Sequence, residues 1–142
     1  MKIIKQYKPT RMSSTHPPLG LDLDDTITAH PEFFSWLSCN WPGEVYIITA
    51  RGEGATRDPE ENDLAKHGIA FTDIIYANET SECKANVIRE LGIKIMFDDM
   101  FEFARHIDSD VATFVVKGSN NFDPGPNLFC FTRDTGKLIG PP

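Results

Sequence analysis

The sequence lacks a long apolar run. No stretch approaches the ~20 residues of a membrane span, and the N-terminus has no apolar signal-peptide segment. The cysteines, Cys39, Cys83 and Cys130, are odd in number and match no metal-binding spacing, so each is most simply a reduced thiol. We therefore expect a cytoplasmic protein with no membrane partner.

Basic residues are scarce over most of the chain. The formal net charge is −7, and acidic residues outnumber Lys and Arg by 19 to 7 between Leu21 and Val111. Residues 1–20, by contrast, carry four basic residues and no acid. An acidic body repels nucleic acid unless a local basic groove compensates. The composition disfavours nucleic acid as a partner without excluding it.

The 142 residues suffice for one domain with a core. Residues 1–18 are interpreted as a basic arm and linker, with an edge strand considered at 1–7, and residues 19–142 as the catalytic domain. Within that domain, β-rich apolar runs alternate with helix-like segments. The first strand is predicted to begin at Leu19, and further strands are predicted at 44–49, 71–76, 93–97 and 112–116. Helices are predicted at 31–37, 58–67, 100–107 and from a cap at Thr80 or Ser81 to Gly92.

This alternation predicts an α/β three-layer sandwich around a parallel sheet. No internal repeat interrupts it. Residues 127–139 form a hairpin-like addition, with Asp134-Thr135-Gly136 as its turn, that extends or covers one edge of the sheet.

Polar side chains stand where three of the predicted strands end. These are Asp22 with Asp24, Thr49, and the pair Asp98-Asp99. Ligands of parallel α/β sheets bind at the carboxyl ends of the strands, and carboxylates from two strand ends suit Mg²⁺. Lys84, in the first turn of its predicted helix, adds an ammonium beside free backbone N–H groups. Together these groups fit a phosphoryl group.

Each of these residues also has a purely structural interpretation. The acids could be solvated strand ends or helix caps. Thr49 could be an ordinary β-branched strand residue, and Lys84 an exposed helix lysine. Four such structural coincidences would then have to occur in a fixed order along the chain: at Asp22 with Asp24, at Thr49, at Lys84 and at Asp98-Asp99. This favours the functional interpretation.

From about Leu19 to Val116 the sequence resembles the haloacid dehalogenase (HAD) superfamily. The resemblance rests on four motifs in the order and spacing of that family: Asp22-Leu-Asp24-Asp-Thr26, Ile47-Ile48-Thr49, Lys84 and Phe97-Asp98-Asp99. It implies a Rossmann-like sheet of five parallel strands in the order 3-2-1-4-5.

The resemblance implies a Mg²⁺-dependent phosphatase that hydrolyses a phosphomonoester through an aspartyl-phosphate. Asp22 would be the nucleophile, and Asp24 the general acid and base. Thr49 and Lys84 would hold the phosphoryl oxygens. The implied metal ligands are Asp22, the main-chain carbonyl of Asp24, Asp98 and Asp99, and the implied substrate contacts are Thr26 and Arg51.

The spacing of the motifs leaves no room for a large cap. Residues 28–33 allow only a small flap, and a predicted helix and strand use the length between Thr49 and Lys84. In the family, members without a cap tend to act on large or exposed substrates, or to borrow a lid from a partner subunit. Candidate partners are therefore a large or nucleotide-like phosphorylated substrate and a second copy of the chain.

Two alternatives stay open. Thr49-Ala-Arg51 and His67-Gly-Ile are similar in layout to the phosphatase domain of polynucleotide kinase–phosphatases. This would indicate a nucleotide or polynucleotide-end phosphatase, which needs a basic groove near Arg51 and Arg57. The other alternative is a non-catalytic binding module on the same fold, against which the intact first motif argues.

Overall fold

The computed structural model describes residues 6–8, 16–50, 57–77 and 82–117, together with the backbone of two short strands further along the chain. The strands are β1 Gln6–Tyr7, β2 Leu19–Leu21, β3 Val45–Thr49, β4 Ala70–Phe71, β5 Asp73–Tyr76, β6 Ile95–Asp98, β7 Ala112–Val115, β8 Cys130–Phe131 and β9 Leu138–Ile139. The helices are α1 Pro31–Asn40, α2 Asp58–Lys66, α3 Cys83–Leu91 and α4 Phe101–Ala104.

Five strands form one all-parallel sheet in the order β5-β3-β2-β6-β7. In the middle strand, Leu19 lies opposite Val45 on one side and Ile95 on the other. Numbered along the chain, these five strands run 3-2-1-4-5, so the predicted α/β fold and strand order are confirmed. The strands are rich in apolar residues because helices cover both faces of the sheet.

Alternating side chains of the sheet belong to two separate cores. Ile47 packs with Phe34 of α1 and Leu64 of α2. Its neighbour Ile48 points to the other face and packs with Ile88 of α3. All five side chains are at most 1 % exposed. The helices therefore lie on opposite faces of the sheet, as the three-layer prediction requires.

Two glycines stand where a side chain would clash or be strained. A Cβ on Gly20 in β2 would lie 2.6 Å from Met96 Sδ, so glycine permits the close packing of the central strand. Gly92 follows α3 in the left-handed conformation, with φ at 67°, which favours glycine. The predicted end of this helix is confirmed.

The strand predicted at 71–76 is divided into β4 and β5 by Thr72. The Thr72 N–H donates to Val45 O at 2.6 Å, and the Thr72 hydroxyl accepts the Val45 N–H at 3.0 Å. Beyond this bridge β5 joins the central sheet, whereas β4 pairs in parallel with β1. A threonine hydroxyl can replace a ladder carbonyl in this way, and the apolar pattern of the sequence does not reveal it.

Part of the predicted N-terminal linker is docked on the domain. The edge strand considered there is present as β1, which pairs with β4 in a small parallel sheet. Lys8 Nζ then donates to Ser38 O at 3.1 Å and to Trp41 O, at the end of α1. A cation at this position satisfies free carbonyls and interacts favourably with the helix dipole.

Two helices differ in length from the prediction. α1 extends to Asn40 rather than 37, and the Trp41 N–H continues its hydrogen bonds by donating to Leu37 O at 2.8 Å. α4 is shorter than the predicted 100–107. Its end tightens because the His106 N–H donates only three residues back, to Phe103 O, a common pattern at helix termini.

Some predictions fall outside the described residues. β8 and β9 pair antiparallel, but residues 132–137 between them are not described, so the C-terminal hairpin extension stays a prediction. The same holds for the cap at Thr80 or Ser81. Cys39 and Cys83 are free thiols. None of the described helices is long and apolar enough to cross a membrane.

Candidate functional site

The ends of β2 and β6 bring the predicted carboxylates to one edge of the sheet. Asp22 follows β2, and its N–H donates to Phe97 O at 3.0 Å. Asp98 is the last residue of β6, and its carbonyl accepts the Val116 N–H at 2.8 Å. These backbone hydrogen bonds continue the ladder beyond the strands. The first of them holds Asp22 beside the end of β6, and the second holds Asp98 against the strand on its other side.

Three carboxylates and one ammonium form the centre of the site. Asp22, Asp98 and Asp99 each offer a carboxylate oxygen, and these oxygens lie within 4.8 Å of one another. Lys84 Nζ donates to Asp22 Oδ1 at 2.7 Å and to Asp98 Oδ2 at 2.8 Å. Lys84 is 1 % exposed. Its predicted alternative, an exposed helix lysine, is therefore wrong for this structure.

Burial dominates the titration of these groups. It raises the pKa of Asp22 to about 7, although the Lys84 charge opposes the shift. Burial also raises the pKa of Asp98, with the nearby Asp22 charge adding to it, and burial is the main cause of the raised pKa of Asp99. For Lys84, burial lowers the pKa, but the charges of Asp22 and Asp98 outweigh it, so that its pKa is raised.

The donor set fits a hard divalent cation. Three carboxylates with one ammonium leave a formal charge of two negative units when all are ionised. Carboxylate oxygens are the ligands that Mg²⁺ prefers. Such an ion would offset the cost of keeping these carboxylates charged while buried, which is the main cause of their raised pKa values. The Asp22, Asp98 and Asp99 cluster could therefore hold the predicted metal ion.

The metal-free protein should lose stability as the pH rises from about 4 to about 7. Over this range the native state holds a proton on Asp22, with its pKa near 7, that the unfolded chain has already released. Stability falls with pH wherever the native state binds more protons. Because Mg²⁺ competes with those protons, its stabilising effect should be larger at pH 8 than at pH 5.5.

Thermal denaturation at both pH values, with EDTA or with Mg²⁺, measures this dependence. NaCl at the same ionic strength is the control, since a monovalent cation competes poorly for a cluster of carboxylates. A stabilisation by Mg²⁺ that is equal at both pH values would contradict the prediction.

The turn after β2 keeps two further acids at the surface. The Thr28 N–H donates to Leu23 O at 3.2 Å and closes residues 23–27 into a wide loop. Within it Asp25 adopts the left-handed conformation, with φ at 59°, and its N–H donates to Thr28 Oγ1 at 2.8 Å. Leu23 and Ile27 are buried, whereas Asp24 and Asp25 are exposed. The Asp24 carboxylate is not part of the three-carboxylate cluster.

A cleft of about 320 Å³ opens over the cluster. It is lined by Asp22, Asp24, Asp25, Ala50, Lys84, Asp99, Met100 and Phe103. Lys84 Nζ lies 4.7 Å from the centre of the Phe103 ring, close enough for a cation–π contact. The structure thus brings the first-motif acids, the predicted lysine and one of the last two aspartates to a common cleft.

Thr26, a predicted substrate contact, is fully buried beside Asp22. Its hydroxyl donates to Asp22 Oδ2 at 3.1 Å. In this structure its visible role is to orient the carboxylate, while Lys84 holds the other oxygen of Asp22. A direct contact of Thr26 with substrate stays a prediction.

Replacing Thr26 by Val should lower the free energy of unfolding by about 1–2 kcal/mol, because a buried hydrogen bond to a charged group is lost. Urea denaturation measures the change. Thr26→Ser, which keeps the hydroxyl, is the matched control and should lose less. Equal stabilities of the two variants would show that the hydrogen bond contributes nothing.

The other predicted substrate residues are only partly located. Thr49 ends β3 at the same edge of the sheet, is 1 % exposed, and its carbonyl accepts the Ala77 N–H at 2.8 Å. The next residue, Ala50, lines the cleft. Arg51 lies outside the described residues, so its role and that of Thr49 remain predictions.

Sequence reasoning missed Met100 and Phe103 as parts of the site. A signal was present, since both follow directly after the Asp98-Asp99 motif in an apolar segment. The sequence predicts only a helix at 100–107, and the tertiary structure shows that Met100 and Phe103 line the cleft. The first residue of the segment is also tied to the site, because the Met100 N–H donates to Asp98 Oδ1 at 2.9 Å.

No protein-family model matches the chain, and no curated protein matches it. Among solved structures, it is similar to a chain in the structure of the Pnkp1/Rnl/Hen1 RNA repair complex. The TM-score is 0.55 at 16 % identity, over 77 % of this chain and 45 % of that one. The likeness is one of fold. This chain therefore spans less than half of the length of its structural neighbour.

A second neighbour is a universal stress protein in complex with cAMP. Its TM-score is 0.47 at 11 % identity, over 73 % of this chain and 100 % of that one. This degree of likeness is too low to support any functional argument.

Proposed function

We propose that the protein is a Mg²⁺-dependent phosphatase of the HAD type, with residues 19–142 as its catalytic domain. The observation that carries the proposal is the contact of the buried Lys84 with both Asp22 and Asp98, next to Asp99. These residues come from three separate motifs of the resemblance. Their meeting at one sheet edge is what a phosphoryl-transfer site of this type requires.

The proposed reaction begins with attack by Asp22 on the phosphorus of a monoester. The bond between phosphorus and the ester oxygen breaks, and Asp24 gives its proton to the departing oxygen. Asp24 then accepts a proton from water, whose oxygen attacks the same phosphorus, and the bond to Asp22 breaks to release phosphate. Thr49 and Lys84 would hold the phosphoryl oxygens as charge develops.

A bound Mg²⁺ ion would neutralise phosphoryl charge at this site. Asp22, Asp98 and Asp99 would hold it through their carboxylates. The main-chain carbonyl of Asp24 is the fourth proposed protein ligand. Exposed Asp24 suits its proposed role, since a group that exchanges protons with the leaving oxygen and then with water must be reachable from solvent.

Hydrolysis of an aryl phosphate by the whole chain tests the proposal. Turnover should require Mg²⁺ and stop when EDTA is added. Turnover that is unaffected by EDTA would remove the metal from the mechanism. A folded protein that binds Mg²⁺ but hydrolyses no phosphoester would instead indicate the non-catalytic binding module.

A nucleotide or polynucleotide-end phosphatase is the second candidate. The observation in its favour is the fold likeness to a chain of an RNA repair complex. It requires a basic groove near Arg51 and Arg57. Arg57 is engaged elsewhere, because its Nη2 donates to Asp73 Oδ1 at 2.6 Å and to Ile74 O at 2.9 Å.

A further inference from the structure

One part of the cleft wall is apolar. Ala50, Met100 and Phe103 line it, next to the acids. Met100 is 42 % exposed, a large fraction for this side chain. A single exposed apolar residue is ordinary. Met100, however, borders the same 320 Å³ cleft as the proposed nucleophile, where an apolar surface would contact whatever group the phosphate carries.

This apolar surface is held in place relative to the reacting groups. The Met100 N–H donates to Asp98 Oδ1, so the backbone that carries the side chain is tied to a candidate metal ligand. Phe103 is 8 % exposed, and Lys84 Nζ lies over its ring. A ligand positioned by Asp22 and Lys84 would therefore find Met100 at a defined place.

The charged part of the cleft disfavours a second anionic group on the substrate. Asp22, Asp24, Asp25 and Asp99 line the cleft, and among the described lining residues Lys84 alone is basic. A divalent cation would still leave one excess negative charge. Any further phosphate beyond the reacting one would meet the exposed Asp24 and Asp25, and like charges repel in a partly desolvated cleft.

Arg57 does not compensate for this charge. In addition to its hydrogen bonds to Asp73 and Ile74, its guanidinium lies 5.8 Å from the centre of the Tyr76 ring. It is also absent from the lining of the cleft. The described residues that line the cleft thus provide no basic track for a polynucleotide backbone, which binds chiefly through Lys and Arg contacts to its phosphates.

We infer that the preferred substrate is a small phosphate monoester whose leaving group is uncharged and carries a planar, apolar ring. The inference rests on the proposed phosphatase function and specifies its substrate class. Met100 is the specificity-determining residue, because its flexible, polarisable thioether packs well against aromatic rings. The exposed Asp24 and Asp25 at the cleft disfavour polyanionic alternatives.

Benzyl phosphate and ethyl phosphate test this inference, since both release a primary alcohol and differ mainly in the ring. The wild-type chain with Mg²⁺ should show a kcat/KM about tenfold higher for benzyl phosphate, as expected for the burial of part of a ring. In Met100→Ala this ratio should fall to about twofold or less, chiefly through KM. Phe101→Ala is the matched control, because Phe101 is 68 % exposed on the same segment but does not line the cleft. In this variant the ratio of kcat/KM for benzyl phosphate to kcat/KM for ethyl phosphate should stay at the wild-type value.

Three outcomes would overturn the inference: equal use of both esters by the wild type, an unchanged ratio in Met100→Ala, or a 5′-phosphorylated oligonucleotide that is preferred over benzyl phosphate. If the wild type hydrolyses no ester, the proposed function fails, and calorimetry with benzylphosphonate and ethylphosphonate in Mg²⁺ then tests the subsite alone. About tenfold tighter binding of benzylphosphonate that Met100→Ala removes would support it. Equal binding of the two, or no binding, would overturn it.

Discussion

Asp22→Asn should lower the hydrolysis of an aryl phosphate by at least about 10³-fold, as expected when a catalytic nucleophile is removed. Asparagine keeps the shape of the side chain. Its Oδ1 can still accept the hydrogen bond from Lys84, which lies 2.7 Å from Asp22 Oδ1, and its Nδ2 can donate to the Thr26 hydroxyl, which lies 3.1 Å from Asp22 Oδ2. The fold should therefore survive. Steady-state kinetics in saturating Mg²⁺ measure the loss, and thermal denaturation confirms that the variant is folded.

Asp25→Asn is the matched control for this variant. Asp25 lines the same cleft and has no role in the proposed reaction, and asparagine tolerates the left-handed conformation that this position adopts. We expect turnover within about tenfold of the wild type. If Asp22→Asn keeps its turnover, or if both variants lose it equally, Asp22 is not the nucleophile.

Lys84→Met should destabilise the metal-free protein by about 3–5 kcal/mol, because two buried carboxylates lose their shared cation. Methionine has a similar length, so little packing volume is lost. Lys84 and Asp98 are at most 2 % exposed at their side chains, so the screening that weakens surface ion pairs does not apply. Mg²⁺ should recover part of the stability, since it supplies positive charge to the same carboxylates. Urea denaturation with and without Mg²⁺ measures both effects.

Lys94→Met provides the comparison at the surface. Lys94 Nζ lies 2.8 Å from Asp110 Oδ2, but the two side chains are 51 % and 66 % exposed. An exposed pair of this kind contributes at most about 1 kcal/mol. Losses of similar size in Lys84→Met and Lys94→Met would mean that the buried lysine does not offset the charge of the aspartates.

The centre of the site could be predicted because strand patterning and strand ends are local properties of the sequence. The apolar run at 45–49 identifies a buried strand, and a parallel sheet brings the residues after such strands to one edge. The positions of Asp22 and Asp98 follow from that rule. That rule does not place Lys84, which became a candidate through its position at a helix start and through the resemblance. Its contacts with both aspartates are known only from the structure.

What the sequence could not predict depends on contacts between distant segments. The division of the strand predicted at 71–76 into β4 and β5 depends on a hydrogen bond between the Thr72 hydroxyl and Val45, twenty-seven residues away. The apolar side of the cleft depends on the packing of the segment after β6, which places Met100 and Phe103 in the cleft lining. In each case the local pattern is compatible with several arrangements, and packing against other elements selects one.

The docked strand β1 has a consequence for the lifetime of the folded protein. Its partner β4 lies beyond α1, β3 and α2 in the chain, so the pair closes a long loop and is expected to form late in folding. Contacts made after the rate-limiting step leave the folding rate unchanged but must be broken before the chain can unfold. We therefore expect the β1–β4 pair to slow unfolding more than it speeds folding.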